Sequence, residues 1–320
     1  MEFKPKTDLE KAMEFKPKKG MEFTTIRYEK DKEQSQIVYI TLNRPEKANA
    51  ISVGRGFMTQ EITDAMDMVN EDDEIKVAIF RGEGKNFSAG YDLEQVYRVY
   101  GGTTTFRPYQ RNRLIIDDKQ IHGFIRAILA CSKITIAQVH GWCVEAGLWI
   151  PEACDIAIAA NNAKFAHRGQ RLAFGGYPII PLVLLEGNIK KLIELLITGR
   201  TISGAEAETT GIVTKAVPPE DLESEVCNLA KAICVIPRDA IVMGKYARRH
   251  TLDQVGLLQL DSGVVYHTLG TNIRYGEDER DLMFIRGREK MGSAKESFHK
   301  HHEIFEKALN KTKYFKSYTG

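Results

Sequence analysis

The stretch Ile136-Ala137-Gln138-Val139-His140-Gly141-Trp142-Cys143-Val144-Glu145-Ala146-Gly147-Leu148-Trp149 decides how this chain is read. An apolar run of strand character ends at His140-Gly141. A small-residue turn follows at Glu145-Ala146-Gly147, and then an apolar helix through about Ala153. A strand that turns directly into a helix leaves backbone N–H groups without intrahelical acceptors at the helix start. With the positive end of the helix dipole behind them, such donors suit an oxygen that gains negative charge. A second small-residue turn, Phe87-Ser88-Ala89-Gly90-Tyr91-Asp92, lies upstream, again just after a strand-like run, Val77-Ala78-Ile79-Phe80. Two such turns can supply two converging N–H donors to one carbonyl oxygen, or they can be ordinary strand–helix connections.

In this order and spacing the pair resembles the crotonase (enoyl-CoA hydratase/isomerase) superfamily, over roughly residues 24 to 305. Residues Thr41 to Ala50 (TLNRPEKANA) resemble that family's first signature, Phe87 to Leu93 its second and His140 to Asp155 its third. Leu196 to Ala207 resembles the helix that follows, and Gly211-Ile212-Val213 the next strand. The resemblance implies an α/β fold: a spiral core of ββα repeats with a helical C-terminal region that packs between subunits, as a homotrimer or a dimer of trimers. The expected divisions are a repetitive extension over 1–22, the core over 23–217 and the helical region over 218–320.

Bulk properties exclude more than they assign. The 45 Lys and Arg residues nearly balance the 43 Asp and Glu, and the basic residues are dispersed, so no nucleic-acid partner is expected. No apolar run is long enough to span a bilayer, and the lysine-rich start lacks an apolar signal core. Cys131, Cys143, Cys154, Cys227 and Cys234 form no CxxC pair and no zinc-spaced cluster, so reduced thiols, a cytoplasmic location and no metal or redox cofactor are expected. The motif Met1-Glu2-Phe3-Lys4-Pro5-Lys6 recurs at Met13 to Lys18 and reads as a loosely packed extension.

Along the core, strands are expected around Ile26–Tyr28, Ile37–Leu42, Val77–Phe80, Thr135–Val139 and Ile156–Ala159. Helices are expected over Ser52–Asn70, Leu114–Ala130, Ile189–Thr198, Ser203–Thr210 and Leu222–Ile233, with Ser203 as a cap. The polar and aromatic segment Glu94 to Arg113 reads as a flap over a pocket. Alternating strands and helices argue independently for an α/β architecture.

If the resemblance extends to the site, a coenzyme A thioester lies with its carbonyl between the backbone N–H groups of Tyr91 and Ala146, stabilising an enolate. Coenzyme A is then part of the substrate, following Lys47, Ala48, Ala89, Gly90, Asp92 and Leu93. The proton-transfer groups depart from the family pattern. Its hydratases carry two glutamates; this chain has Trp149 at the first position and Gly169 at the second, in Phe165-Ala166-His167-Arg168-Gly169. One carboxylate as base and one as acid activate a water in that mechanism, and both are missing here. His167 titrates near neutrality and can serve as base or acid, or sit idle on a surface loop. Glu145 can take part in catalysis or cap the helix start. Trp149 can stack on a ring-bearing acyl group or close the pocket. Tyr177 can donate a hydrogen bond, and His122, Tyr97, Tyr100 and Tyr109 can come from the flap. The expectation is an acyl-CoA thioester enzyme. Hydration, double-bond isomerisation, C–C hydrolysis of a β-keto thioester and decarboxylation are all open, as is a silent thioester-binding protein.

Overall fold

The structure is a computed structural model that describes residues 22–99, 109–170, 187–254, 256, 260–270 and 294–320. The N-terminal repeat and Tyr177 lie outside these residues, as do the side chains of Tyr97 and Tyr100. The chain opens with β1 (Ile26–Lys30), β2 (Ile37–Leu42), α1 (Met58–Glu71), β3 (Val77–Gly82), α2 (Leu93–Val99) and α3 (Gln110–Ile116). A π-helical turn (Asp117–Ile121) leads into α4 (Gly123–Ala130), β4 (Ile134–Val139) and β5 (Trp142–Val144). A 3-10 turn (Glu145–Gly147), α5 (Trp149–Ala153), β6 (Ile156–Ala160) and β7 (Lys164–Ala166) follow. The rest comprises α6 (Ile189–Thr198), β8 (Ile202–Ser203), α7 (Gly204–Thr210), β9 (Lys215–Val217), α8 (Leu222–Cys234), α9 (Arg238–Gln254), α10 (Leu260–Gly270) and α11 (Ala294–Leu309).

Six strands form one sheet in the order β1-β2-β3-β4-β6-β9, parallel except for the β1–β2 pair. A small second sheet has the order β5-β7-β8. The chain thus lays one strand in the large sheet, one in the small sheet, then a helix, and repeats: β4, β5 and α5 make one such unit. Isolated parallel bridges continue the small sheet as single rungs, Ile51 to Tyr91 and Ser88 to Cys143. This is the expected ββα spiral.

Central parallel strands are covered on both faces and therefore read as unbroken apolar runs. Val77, Ala78, Ile79 and Phe80 are all buried. On α1, Met58, Ile62, Ala65, Met66 and Val69 form a buried stripe with helical spacing. That helix begins at Met58 rather than Ser52, because Gly54 and Gly56 adopt positive φ of 113° and 73° and break the run. Ser52 still serves the helix, since its hydroxyl accepts the Met58 N–H at 2.9 Å.

The single helix expected over Leu114–Ala130 is interrupted by the π-helical turn and by His122. The polar segment expected as a flap is helical at both described ends, in α2 and α3. The strand expected at Gly211-Ile212-Val213 begins later, at Lys215, because Gly211 ends α7 in the left-handed conformation with φ 87°. Ser203 does cap α7, accepting the Glu206 N–H at 3.1 Å. From Leu222 onward the described elements are helices, with α8 packed on the large sheet and α10 on α3 and the π-helical turn. Lys245 ties α9 to the core, donating from Nζ to the Lys133 carbonyl at 2.7 Å and to Asp155 at 2.5 Å. Asp155 also accepts from the Thr135 N–H and hydroxyl, so it joins α9 to β4.

Candidate active site

The two small-residue turns sit on neighbouring rungs of the small sheet. Ile51 donates to the Gly90 carbonyl and accepts from the Asp92 N–H. In a parallel pairing those two bonds flank the bridged residue, whose own N–H points to the opposite edge. The N–H of Tyr91 therefore faces away from Ile51, toward the rung that carries Val144 and Glu145. On that rung Ser88 donates to the Trp142 carbonyl and accepts from Val144 N–H. A Cβ on Gly90 would lie 2.6 Å from the Glu145 Cβ, and one on Gly147 would lie 2.7 Å from the Ser88 Cβ. Glycine at both places allows the turns to touch. Ala146 is fully buried in the first turn of the 3-10 segment, where a backbone N–H has no intrahelical acceptor.

Trp149 follows directly and is 3% exposed. Its ring meets Tyr91 edge-on, with centroids 5.3 Å apart. Around it stand His122 at 5.5 Å, His167 at 6.4 Å and His267 at 6.5 Å. His122 and His267 meet edge-on at 4.7 Å. Three buried histidines thus surround Trp149. The π-helical turn places His122: the Asp117 carbonyl accepts both its backbone N–H, at 2.9 Å, and its ring Nδ1–H, at 2.8 Å. Burial, with the His267 ring second, pushes the His122 pKa well below the usual histidine value.

Glu145 occupies the left-handed region with φ 52°, a conformation that costs a non-glycine residue about 1–2 kcal/mol. It stands in the first turn of the 3-10 segment, whose N-cap residue is Val144. Its side chain reaches across to the residues just after β7, where Oε1 accepts the Arg168 N–H at 2.8 Å and Oε2 lies 3.9 Å from His167 Nε2. His167 is buried rather than on a surface loop. Burial and the Arg168 charge lower its pKa while Glu145 opposes them, so the ring is neutral at pH 7 beside a carboxylate. Arg168 is itself buried and donates to Thr201 Oγ1 at 3.0 Å. Gly169 makes room for this pair, since a Cβ there would lie 2.7 Å from the His167 ring. An apolar cleft opens beside His167, lined by Leu148, Phe165, Leu192, Leu195 and Ile212.

The expected coenzyme A loops adjoin each other. Ala48, with φ 50°, accepts the Ala89 N–H at 2.9 Å. Asp92 is buried and its carboxylate binds Arg44 at 2.9 Å and Lys47 at 3.3 Å, so it anchors the turn instead of presenting charge outward. The hydrogen bonds from Arg44 and Lys47 outweigh burial and lower its pKa. Lys47 and Leu93 remain about half exposed. Tyr109 points to solvent and is not brought to the cluster. Sequence reasoning missed His267 altogether and left His122 undecided. The only local signal was a polar His267-Thr268 pair inside an apolar helix. All five cysteines are free thiols. Among the described residues no group of side chains has metal-binding geometry, and no helix is long and apolar enough to cross a membrane.

Comparison with known proteins agrees with this architecture. The enoyl-CoA hydratase/isomerase family model matches residues 32–277, and the chain belongs to that family within the crotonase superfamily. It is an enoyl-CoA hydratase/isomerase-like enzyme. It is similar to a putative enoyl-CoA hydratase of Mycobacterium tuberculosis, EchA13, at 31% identity over 80% of this chain and 83% of that protein. The structure of a probable enoyl-CoA hydratase from Mycobacterium smegmatis superposes with a TM-score of 0.66 at 30% identity, covering 77% of this chain and 93% of that one. An enoyl-CoA hydratase/isomerase from Xanthobacter autotrophicus Py2 gives a TM-score of 0.72 at 26% identity, covering 88% and 98%.

Proposed function

We propose that this protein acts on an acyl-CoA thioester, stabilising its enolate between the N–H groups of Tyr91 and Ala146. The observation that carries the reading is the contact between the two turns, with Gly90 against Glu145 and Gly147 against Ser88. Two fixed donors in a water-poor site would each lower the barrier to enolate formation by about 3–4 kcal/mol. Coenzyme A would run along the Lys47-Ala48 and Ala89–Leu93 loops, with Lys47 close to a phosphate.

Proton transfer falls to groups other than the hydratase glutamates. His167 and Glu145 form one such group: the nearby carboxylate stabilises the imidazolium that forms when His167 takes a proton. Trp149 walls the acyl pocket. The enolate would also be the leaving group if a β-keto thioester were cleaved by water. The aromatic and histidine lining, without a carboxylate at position 149 or 169, favours that C–C hydrolysis as the second reading.

A panel of saturated, enoyl and β-keto thioesters, linear and cyclic, incubated in heavy water and followed by mass spectrometry tests the proposal. Deuterium uptake at the α-carbon, addition of water or chain cleavage supports it and names the reaction. A panel left unchanged although the thioesters bind would make the chain a silent binding protein.

A further inference from the structure

His122 is 1% exposed, yet only one of its ring nitrogens has a hydrogen-bond partner among the described residues. Nδ1 lies 2.8 Å from the Asp117 carbonyl oxygen. A carbonyl can only accept, so Nδ1 carries the proton and Nε2 carries the lone pair. A buried nitrogen acceptor with nothing to accept from calls for a partner that binds. The ring is also fixed to the turn that carries one of the two proposed donors. Tyr91 donates its hydroxyl to the carbonyl of Ile121, the residue before His122, at 3.1 Å, and both Tyr91 and His122 flank the Trp149 ring.

Resting on the thioester reading above, we propose that His122 is a proton-transfer residue of the acyl site, taking a proton from the α-carbon through Nε2. The C–H electron pair moves into the bond between the α-carbon and the carbonyl carbon. The thioester oxygen takes the negative charge against the Tyr91 and Ala146 N–H groups, and His122 becomes an imidazolium. Return of that proton to the enolate regenerates the neutral ring. His122 and the His167–Glu145 pair then stand on two sides of Trp149 as separate proton carriers.

The groups facing His122 keep it ready for this role. His267 approaches from α10, Arg113 comes from α3 and Arg126 from α4, and each disfavours a second positive charge. The Asp117 carboxylate is engaged by Arg113 at 3.3 Å and by Thr268 at 2.7 Å. Tyr91 flanks the cluster, and His167 with Glu145 lies beyond Trp149. With burial added, the ring is neutral and able to accept a proton at pH 7.

His122→Asn separates the two nitrogens, because the Asn amide keeps a donor in the place of Nδ1–H and removes Nε2. The experiment follows α-hydrogen exchange of a bound saturated acyl-CoA in heavy water, alongside thioester affinity. The expected result is unchanged affinity with exchange slowed about 100-fold or more. Exchange within about threefold of the wild type would remove His122 from proton transfer while leaving the thioester reading intact. A wild type that binds the thioester but exchanges nothing would overturn both together. Nitrogen NMR of the histidine-labelled wild type reads the tautomer without relying on activity or on a variant. Protonated Nδ1 with bare Nε2 is expected at pH 7, and a proton on Nε2 would overturn the assignment.

Discussion

Gly90 and Glu145 approach so closely that a methyl group on Gly90 would lie 2.6 Å from the Glu145 Cβ and 2.9 Å from the Val144 carbonyl oxygen. The contact sets the distance between the two turns, and therefore between the Tyr91 and Ala146 N–H groups. Neighbouring rungs of a sheet are about 4.8 Å apart, which is a separation one oxygen can bridge with two hydrogen bonds. Both backbones at the contact are left-handed, with φ 84° at Gly90 and 52° at Glu145.

Gly90→Ala tests this contact. The substitution places a Cβ at positive φ and against backbone, so the turns must separate. The expected cost is about 1–3 kcal/mol in unfolding experiments, with near-complete loss of α-exchange. Normal exchange would mean the spacing of the turns is not critical.

Glu145→Gly should separate stability from activity. Glycine relieves about 1–2 kcal/mol of left-handed strain. The lost carboxylate bond to the Arg168 N–H costs about 1.5–3 kcal/mol, so the net change in unfolding free energy should stay within about 2 kcal/mol. Turnover should fall at least tenfold, because His167 loses the carboxylate that favours its charged form. Unchanged turnover would limit Glu145 to a structural part.

Trp149→Ala should destabilise the protein by about 3–5 kcal/mol, the usual cost of removing a large buried aromatic side chain. Trp149→Phe keeps a ring against Tyr91 and His122 and should cost much less. Chemical denaturation of both variants measures the difference, and equal costs would show that the ring cluster is not packed as described.

His122 and His167 also predict acid sensitivity. Both have folded pKa values below the unfolded value of 6.5, His122 mainly through burial and His167 mainly through burial. Between pH 6.5 and the lower folded values the unfolded chain binds more protons, so stability falls as pH falls. Melting temperatures measured from pH 8 down to pH 5 should decline below about 6.5, and His122→Asn should flatten that decline. An unaltered profile in the variant would show that His122 is not the titrating group.

The sequence shows the spiral core where apolar runs end in small residues, as at Val139 to Gly147 and Phe80 to Gly90. The small sheet is harder to read, because two of its rungs are single bridged residues too short for any alternation. Glu145, His167 and Trp149 could be singled out from their positions in motifs. The left-handed backbone of Glu145 could not, since a glutamate gives no local sign of positive φ. Nor could the π-helical turn that redirects His122, because it depends on the buried Asp117 and its contacts with Arg113 and Thr268. His267 reaches the cluster through the packing of α10 on that turn, a tertiary contact without local periodicity.

The most direct test of the central claim is a crystal structure with a non-reactive acyl-CoA thioester analogue. The thioester oxygen should lie within about 2.7–3.1 Å of both the Tyr91 and Ala146 nitrogens. An analogue bound with its carbonyl elsewhere, for example in the cleft between Leu148 and Leu195 with neither amide engaged, would contradict it.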